Sequence, residues 1–191
     1  MPPHIAFLRA INVGGHTVKM VYLRQLFESW GFTGVETFIA SGNIIFEAGK
    51  DHPLELEKML ERRLGEALGY KVATFIRTPA ELASIASYQP FPESQFSAAV
   101  AFIVAFLKDV PDEEQEQKLI SRKTDIDDFR VNGREVNWLC RTKQSESTFS
   151  NAVLEKTIGR PSTLRGMSTL KKMVEKYAPG KTEYDQKSSP I

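Results

Sequence analysis

Two adjacent glycines, Gly14 and Gly15, follow an apolar segment and precede Lys19, an arrangement that could bind a phosphate group. Backbone N–H groups at a turn from strand to helix can point at an anion, and a nearby lysine supplies the opposite charge. The spacing matches neither Gly-x-x-x-x-Gly-Lys-Ser/Thr nor Gly-x-Gly-x-x-Gly. The two glycines could also serve only to let the chain turn, because glycine adopts backbone angles that other residues avoid. The sequence leaves both interpretations open.

Arg9 is the second residue with chemical potential, because it lies within an apolar segment. Strand alternation places Ile5, Phe7, Arg9 and Ile11 on one face of the expected strand. A buried arginine without a partner is costly, so Arg9 needs either an internal carboxylate or a bound anion. Asn12 follows at the expected end of the strand, where its amide could bind a ligand or the backbone of the turn.

The elements that would position these residues follow the order β-α-β-β-α-β. Helical spacing of apolar residues predicts helices over 20–30 and 53–68, and β-rich segments predict strands over 4–13 and 70–78 with a hairpin over 35–48 between them. This order is that of a ferredoxin-like unit. In this topology the third strand runs antiparallel to the first and lies beside it.

A compact polar turn, Ser41-Gly42-Asn43, lies where the third strand begins. Because that point adjoins the end of the first strand, we expect Ser41 and Asn43 to lie near Asn12 and the glycine pair. The turn could equally have no role beyond forming the hairpin. The topology therefore predicts one polar cluster built from two separate motifs.

The second half of the chain repeats the same order of elements. The repeat predicts an α+β protein made of two tandem ferredoxin-like (βαββαβ) halves with antiparallel sheets, plus a linker helix and a C-terminal helix. The expected boundaries are 1–78 for the N-terminal half, 79–97 for the linker helix and Pro-rich linker, 98–178 for the C-terminal half with the final helix, and 179–191 for a flexible tail.

The chain resembles a bacterial family known as domain of unknown function number 1697. The resemblance rests on "LRAINVGG" at the N-terminus, "SGNIIF" at the hairpin and the segment 161–173, and it covers about 4–177. It implies the same duplicated α+β fold and no established activity. Arg9, Asn12, Gly14, Gly15, Lys19, Ser41, Gly42 and Asn43 match the family motifs.

The C-terminal motif matches the family only in part. Thr163, Arg165, Thr169 and Lys172 could match that motif, and Arg165 could then close the site from the second half. Gly166-Met167 stands where relatives carry Asn-Trp, and Ala10 stands where they carry glycine. The first departure removes an amide and an aromatic ring, so a ligand of the relatives could bind differently here or not at all.

The sequence contains no recognisable catalytic motif. There is no Gly-x-Ser-x-Gly, and the three histidines lie far apart. His16, near the glycines, could act as an acid or base or have no role. An acidic cluster of Asp125, Asp127 and Asp128 could hold a cation, but solvated turn residues are the preferred interpretation. We predict no metal and no cofactor.

Composition restricts the classes of partner. The 191 residues carry a formal net charge of +1, so no global basic field attracts nucleic acid or membranes. One cysteine, Cys140, and no apolar stretch of membrane-spanning length indicate a reducing, cytoplasmic setting. Between Arg141 and Lys176, however, basic residues outnumber acidic ones, which could attract nucleic acid or leave only a solvated basic surface.

These observations favour a cytoplasmic protein that binds a small anionic ligand, such as a nucleotide or a phosphate- or carboxylate-bearing metabolite. The expected binding residues are Arg9, Asn12, Gly14, Gly15, Lys19, Ser41, Asn43, Thr163 and Arg165. A nucleic-acid-associated protein that uses the basic C-terminal region, and an enzyme of unidentified reaction, are the alternatives. The sequence does not indicate an oligomeric state.

Overall fold

The structure is a computed structural model that describes residues 3–12, 15–49 and 52–177. The N-terminal half contains β1 (Pro3–Leu8), α1 (Met20–Ser29), β2 (Thr33–Phe38), β3 (Asn43–Glu47), α2 (Pro53–Leu68) and β4 (Thr74–Arg77). Two helices follow, α3 (Pro79–Ser87) and α4 (Glu93–Ser97). The C-terminal half contains β5 (Ala101–Phe106), α5 (Glu113–Ile120), β6 (Asp127–Asn132), β7 (Glu135–Cys140), a 3₁₀ turn (Gln144–Glu146), α6 (Asn151–Ile158), β8 (Thr163–Gly166) and α7 (Met167–Tyr177).

Each half forms a four-stranded antiparallel sheet with ferredoxin-like strand order. The order is β2-β3-β1-β4 in the N-terminal half and β6-β7-β5-β8 in the C-terminal half. The predicted α+β fold with two tandem halves is therefore confirmed. The expected tail, 179–191, lies outside the described residues.

The two sheets pack face to face, and helices cover their outer faces. Inward side chains of both sheets, including Ile5, Phe7 and Val104, form a central core with α3 and α7. Phe7 stacks on Phe106 across this core, with ring centroids 4.1 Å apart. Outward side chains pack against α1 and α2 on one side and against α5 and α6 on the other, so both sheets are covered on both faces.

Local sequence explains the start and end of the main helices. Pro53 occupies the first turn of α2, and Gly69 ends the helix in the left-handed conformation. Thr78 and Glu81 form the capping box expected at the start of α3, whose Leu82 and Ile85 are buried in the central core. Within the described residues, no helix combines the length and apolar character that crossing a bilayer requires.

The first strand is shorter than its sequence indicates. β1 ends at Leu8, and Ala10 adopts a positive φ of 57°. The expected alternation holds for Ile5 and Phe7, which face the central core, but not for Ile11, which packs with Leu8 in the outer core. A positive φ suits glycine better than alanine, which accounts for the glycine that the related family carries at position 10.

Candidate functional site

Arg165 lies buried between the two halves and forms hydrogen bonds with residues of both. Its Nε–H donates to Asn43 Oδ1 at 2.5 Å, and Nη1 donates to Thr163 Oγ1 at 2.9 Å and to the carbonyl of Leu164 at 2.7 Å. Nη2 donates to the carbonyls of Leu8 at 3.1 Å and Ser41 at 2.8 Å. Because a guanidinium has five N–H groups, these contacts use all of its donors.

The acceptors around Arg165 are neutral, and the residue is buried. The side chain is 7% exposed, and its guanidinium lies 5.6 Å from the ring centre of Phe7. Burial lowers the pKa of Arg165 to about 10, so the guanidinium remains charged at neutral pH. The hydrogen bonds therefore offset the cost of a buried charge that has no carboxylate beside it.

Arg77, in the N-terminal half, makes the corresponding contacts with residues of the C-terminal half. Its Nε–H donates to Glu135 Oε1 at 2.7 Å, and Nη2 donates to the carbonyl of Leu107 at 2.9 Å. Its guanidinium lies 5.4 Å from the ring centre of Phe106. Each arginine stands on the fourth strand of one half and binds the first residue of the third strand in the other half. The two contacts form a reciprocal pair, which we call the arginine staples.

Four of the predicted site residues, Ser41, Asn43, Thr163 and Arg165, therefore lie in contact with one another. Asn43 is fully buried and donates Nδ2 to Ser41 Oγ at 2.9 Å and to the carbonyl of Phe38 at 3.0 Å. All these polar groups are bound to one another or to backbone. The observed role of the cluster is to join the two halves.

Arg9 is paired with Glu155 of the C-terminal half. Nε and Nη2 of Arg9 each lie 2.6 Å from one carboxylate oxygen of Glu155, a bidentate ion pair. The bond to Glu155 raises the pKa of Arg9. Of the two partners considered for Arg9, the structure contains the internal carboxylate. The arginine side chain is still 37% exposed, and its Nη1 binds no described residue.

Asn12 connects the loop that precedes α1, which contains Gly15 and which we call the glycine loop, to the hairpin turn, as the topology predicts. Its Nδ2 donates to the carbonyl of Ala40 at 3.0 Å, and its Oδ1 accepts the N–H of Val18 at 2.6 Å. Both polar ends of its amide therefore bind backbone. Gly14 lies outside the described residues, whereas Gly15 has a φ of 89°.

A cavity of about 900 Å³ lies beside Arg9, between the two halves. We call it the interhalf cavity. Its walls are formed by Arg9, by α2, by the chain from 69 to 73 and by three residues of the C-terminal half. The lining residues are Arg9, Glu61, Arg62, Gly65, Glu66, Gly69, Tyr70, Lys71, Val72, Ala73, Lys108, Glu155 and Pro161. Its volume lies within the range typical of small-molecule sites, and interfaces between domains are a common place for them.

Two carboxylates in the interhalf cavity have oxygens engaged by the protein. Glu155 Oε1 also accepts the N–H of Ser162 at 2.8 Å, in addition to Arg9. Glu61 Oε1 accepts the N–H of Thr74 at 2.8 Å and lies 2.6 Å from Lys108 Nζ. These bonds hold both carboxylates in place and leave them less available to a ligand.

The cations of the interhalf cavity keep donors for a ligand. Arg9 uses two of its three guanidinium nitrogens, and Lys108 makes one ion pair. Lys71 is exposed and makes no hydrogen bond or ion pair with any described residue. Arg62 and Glu66 also line the cavity and pair with each other at 3.2 Å. Four cations thus face three carboxylates, so the cavity presents a small excess of positive charge together with the apolar surfaces of Ala73 and Pro161.

A second cavity of about 450 Å³ adjoins the first at Tyr70. Gly15, His16, Lys19 and Tyr22 are among its lining residues. The ring of His16 stacks on Tyr70 with centroids 3.8 Å apart. The side chain of Lys19 makes no hydrogen bond or ion pair with any described residue, whereas its carbonyl accepts the N–H of Leu23 at 3.0 Å. Of the predicted site residues, Gly15 and Lys19 thus line this smaller cavity, and only Arg9 lines the interhalf cavity.

Sequence reasoning missed Lys71, Lys108 and Tyr70. Lys71 and Tyr70 belong to the turn after α2, and no local pattern separates them from ordinary surface residues. It also missed Arg77, although an arginine within the apolar segment "TFIR" is the same kind of signal that drew attention to Arg9.

Of the acidic cluster, Asp125 is exposed, as a solvated turn residue should be, but the other two aspartates are not. Asp127 and Asp128 are buried, and both accept hydrogen bonds from neighbouring groups, among them the indole N–H of Trp138 at 2.7 Å from Asp127. Among the described residues, no group of three or more His, Cys, Asp or Glu side chains is arranged to hold a metal ion. Cys140 is buried, as a packing residue should be.

Comparison with known proteins places the chain in a family. No curated protein matches it. Among solved structures, it is similar to the conserved bacterial protein SP0830 from Streptococcus pneumoniae, with a TM-score of 0.73 and 20% identity over 93% of this chain and 98% of that one. That likeness supports the fold. The family model described as protein of unknown function (DUF1697) matches residues 1–137, so the chain belongs to this family.

Proposed function

We propose that this protein binds a small organic anion in the interhalf cavity. The proposal rests on a difference between the carboxylates and the cations of this cavity: the carboxylates are already bonded, whereas two cations have unused N–H donors. Glu61 and Glu155 are held by backbone N–H groups and by cations, and the third carboxylate, Glu66, pairs with Arg62. Arg9 and Lys71, in contrast, retain donors that face no described partner. An anion would bind those donors without breaking the ion pairs already present.

The size and lining of the cavity favour a ligand with an apolar or aromatic body. A volume of about 900 Å³ greatly exceeds that of a lone phosphate ion. Ala73 and Pro161 would contact the apolar part of the ligand, and Tyr70 offers an aromatic ring at the junction with the smaller cavity. A nucleotide or an aromatic carboxylate has this combination of features.

The remaining predicted site residues take different roles in this proposal. Gly15 and Lys19, with His16, would meet a second anionic group that reaches into the smaller cavity. Asn12 would hold the glycine loop in place through Ala40 and Val18. The cluster around Arg165 would act at a distance, by keeping the two walls of the interhalf cavity together.

A thermal-shift screen with matched pairs of compounds tests the proposal. A ligand that binds only the folded state stabilises it by mass action, by about 2.7 kcal/mol at a hundredfold excess over Kd. Adenosine monophosphate and 1-anilinonaphthalene-8-sulfonate are the anionic probes, and adenosine and N-phenylnaphthylamine are their uncharged counterparts. We expect at least one anion to raise Tm more than its neutral counterpart does.

A pair of lysine variants locates the binding site. Lys71→Gln removes a cation that lines the interhalf cavity, whereas Lys172→Gln removes an exposed cation on α7. The anion-specific shift should fall in the first variant and persist in the second. Equal shifts for charged and uncharged probes, or equal losses in both variants, would contradict the proposal.

A further inference from the structure

A basic groove runs between α5 and α6 on the outer side of the C-terminal half, and it shares no lining residue with the interhalf cavity. A cavity of about 490 Å³ is lined by Lys118, Ser121, Arg122, Lys156 and Thr157. A second cavity of about 360 Å³ shares Ser121 and Arg122 and continues past Lys123, Thr124, Asp127, Thr148, Phe149 and Val153. We call the two together the α5–α6 groove.

The cations of this groove are largely free to bind a ligand. The side chains of Arg122 and Lys156 make no hydrogen bond or ion pair with any residue in the described part of the chain. Lys118 pairs with Glu114 four residues earlier, but both side chains are more than half exposed, and such pairs contribute little. Lys118, on α5, and Arg122, in the turn after it, line the same cavity.

The carboxylates beneath the groove are already bonded. Asp127 is 2% exposed; its Oδ1 accepts the indole N–H of Trp138 and its Oδ2 the hydroxyl of Ser147, each at 2.7 Å. Asp128 is fully buried and lies 2.7 Å from Lys123 Nζ and 3.1 Å from Arg130 Nη1. These two acids offset part of the positive charge, chiefly that of Lys123. Lys118, Arg122 and Lys156 remain as the cations available to a partner.

We propose that the α5–α6 groove binds the phosphodiester backbone of a nucleic acid. Lys, Arg, Ser and Thr side chains are the groups that contact phosphates in such complexes. Thr124 Oγ1 accepts the N–H groups of Ile126 and Asp127, which leaves its hydroxyl hydrogen to donate to a phosphate. Two adjoining cavities that share Arg122 suit consecutive phosphates better than one isolated anion.

The same groove offers little to the bases. Phe149 is the aromatic residue in its lining, and it is 5% exposed and packed against Phe129 and Trp138. Stacking of unpaired bases needs an accessible ring. The groove should therefore bind the backbone without regard to sequence, and its affinity should depend strongly on salt.

Fluorescence anisotropy with a labelled 20-base-pair DNA duplex and the full chain tests this inference. For about three phosphate contacts, log Kd should change with log salt concentration with a slope near 3. The double variant Arg122→Gln/Lys156→Gln should weaken binding about tenfold at low salt and reduce that slope by about 2. Lys171→Gln/Lys172→Gln, on α7, changes the net charge equally and should leave both quantities unchanged.

Three results would overturn the inference. The first is no binding of the duplex by the wild type at 50 mM salt. The second is an equal loss in the two double variants, which would indicate attraction to net charge alone. The third is binding of a poly-glutamate peptide with the same affinity and the same dependence on Arg122 and Lys156, which would indicate an acidic protein as the partner. The interhalf cavity variant Lys71→Gln should not alter duplex binding, so this test is independent of the proposed ligand.

Discussion

Arg165 of the C-terminal half donates its Nε–H to Asn43 of the N-terminal half at 2.5 Å, and Arg77 returns the contact by donating to Glu135 at 2.7 Å. The two contacts are equivalent in position but differ in charge, because one acceptor is an amide and the other a carboxylate. The arginine staples flank the central core and fix how the halves meet. The interhalf cavity lies at the same boundary, so its shape depends on them.

The difference in charge predicts different costs when each arginine is removed. Arg165→Met leaves neutral acceptors without donors, and we expect a loss of about 2–4 kcal/mol in the free energy of unfolding. Arg77→Met also leaves the Glu135 carboxylate, 11% exposed, without its partner, and we expect about 3–5 kcal/mol. Urea denaturation of both variants measures the two losses.

The double variant Arg77→Met/Glu135→Gln serves as the control for that comparison. Because it removes the unpaired charge, it should recover part of the stability lost in Arg77→Met. If Arg77→Met proves no more costly than Arg165→Met, Glu135 does not carry the charge that this account assigns to it.

The hairpin glycine Gly42 is predicted to tolerate no side chain. Its φ is +72°, and a Cβ atom there would lie 2.6 Å from Cγ2 of Ile11. Gly69, at the end of α2, has a similar φ of +79° but no heavy atom within 4 Å of the added Cβ. Gly69→Ala should therefore cost only the backbone strain, about 1–2 kcal/mol, and Gly42→Ala about 1–3 kcal/mol more.

Thermal or urea denaturation of the two glycine variants separates strain from crowding. Equal losses of stability in the two variants would mean that the loop containing Ile11 moves away from the added methyl group without a cost in free energy. In that case the contact between the hairpin turn and the end of the first strand would not be tightly packed.

A buried glutamate on α2 predicts how stability depends on pH. Glu57 is 1% exposed; its Oε1 accepts the N–H of Ile76 at 2.8 Å, and its Oε2 has no hydrogen-bond partner in the described chain. Burial raises the pKa of Glu57 above its ordinary value of 4.5. At a pH between the ordinary pKa and the raised pKa of Glu57, the folded state binds more protons than the unfolded state. The contribution of Glu57 to stability therefore falls as pH rises through that range.

Glu57→Gln should remove that dependence while keeping an acceptor for Ile76. We expect the variant to be more stable than the wild type at pH 8, by about 1 kcal/mol as is common for single substitutions, and the difference to shrink toward pH 4. A difference that stays constant between pH 4 and pH 8 would show that Glu57 does not titrate in this range.

Much of the fold follows from local sequence, but the partners across the halves do not. Pro53 and Gly69 mark the ends of α2, and Thr78 with Glu81 marks the start of α3, because each acts on its immediate neighbours. The partner of Arg9 is Glu155, 146 residues away. A strand pattern can show that Arg9 needs a partner, but it does not identify which distant carboxylate the fold brings to it.

The candidate site was less predictable than the fold for two physical reasons. The positive φ of Ala10 breaks the alternation of the first strand, so Ile11 and the residues after it face directions that a strand pattern does not give. The interhalf cavity is also made by the meeting of two halves. Lys108 and Pro161 line it from the C-terminal half. No pattern in the sequence around them indicates that they share a cavity with Lys71.

The most direct measurement of the central claim is binding of 1-anilinonaphthalene-8-sulfonate to two variants of Gly65, followed by calorimetry. Gly65 lies on α2 in the cavity wall, and a Cβ there would meet only the carbonyl oxygen of Tyr70 at 3.8 Å. Gly65→Ala should fold and bind as the wild type does, since alanine favours a helix by about 1 kcal/mol. Gly65→Phe should fill the cavity and weaken binding at least tenfold with Tm maintained. Unchanged affinity in a folded Gly65→Phe variant would contradict the claim that the interhalf cavity is the binding site.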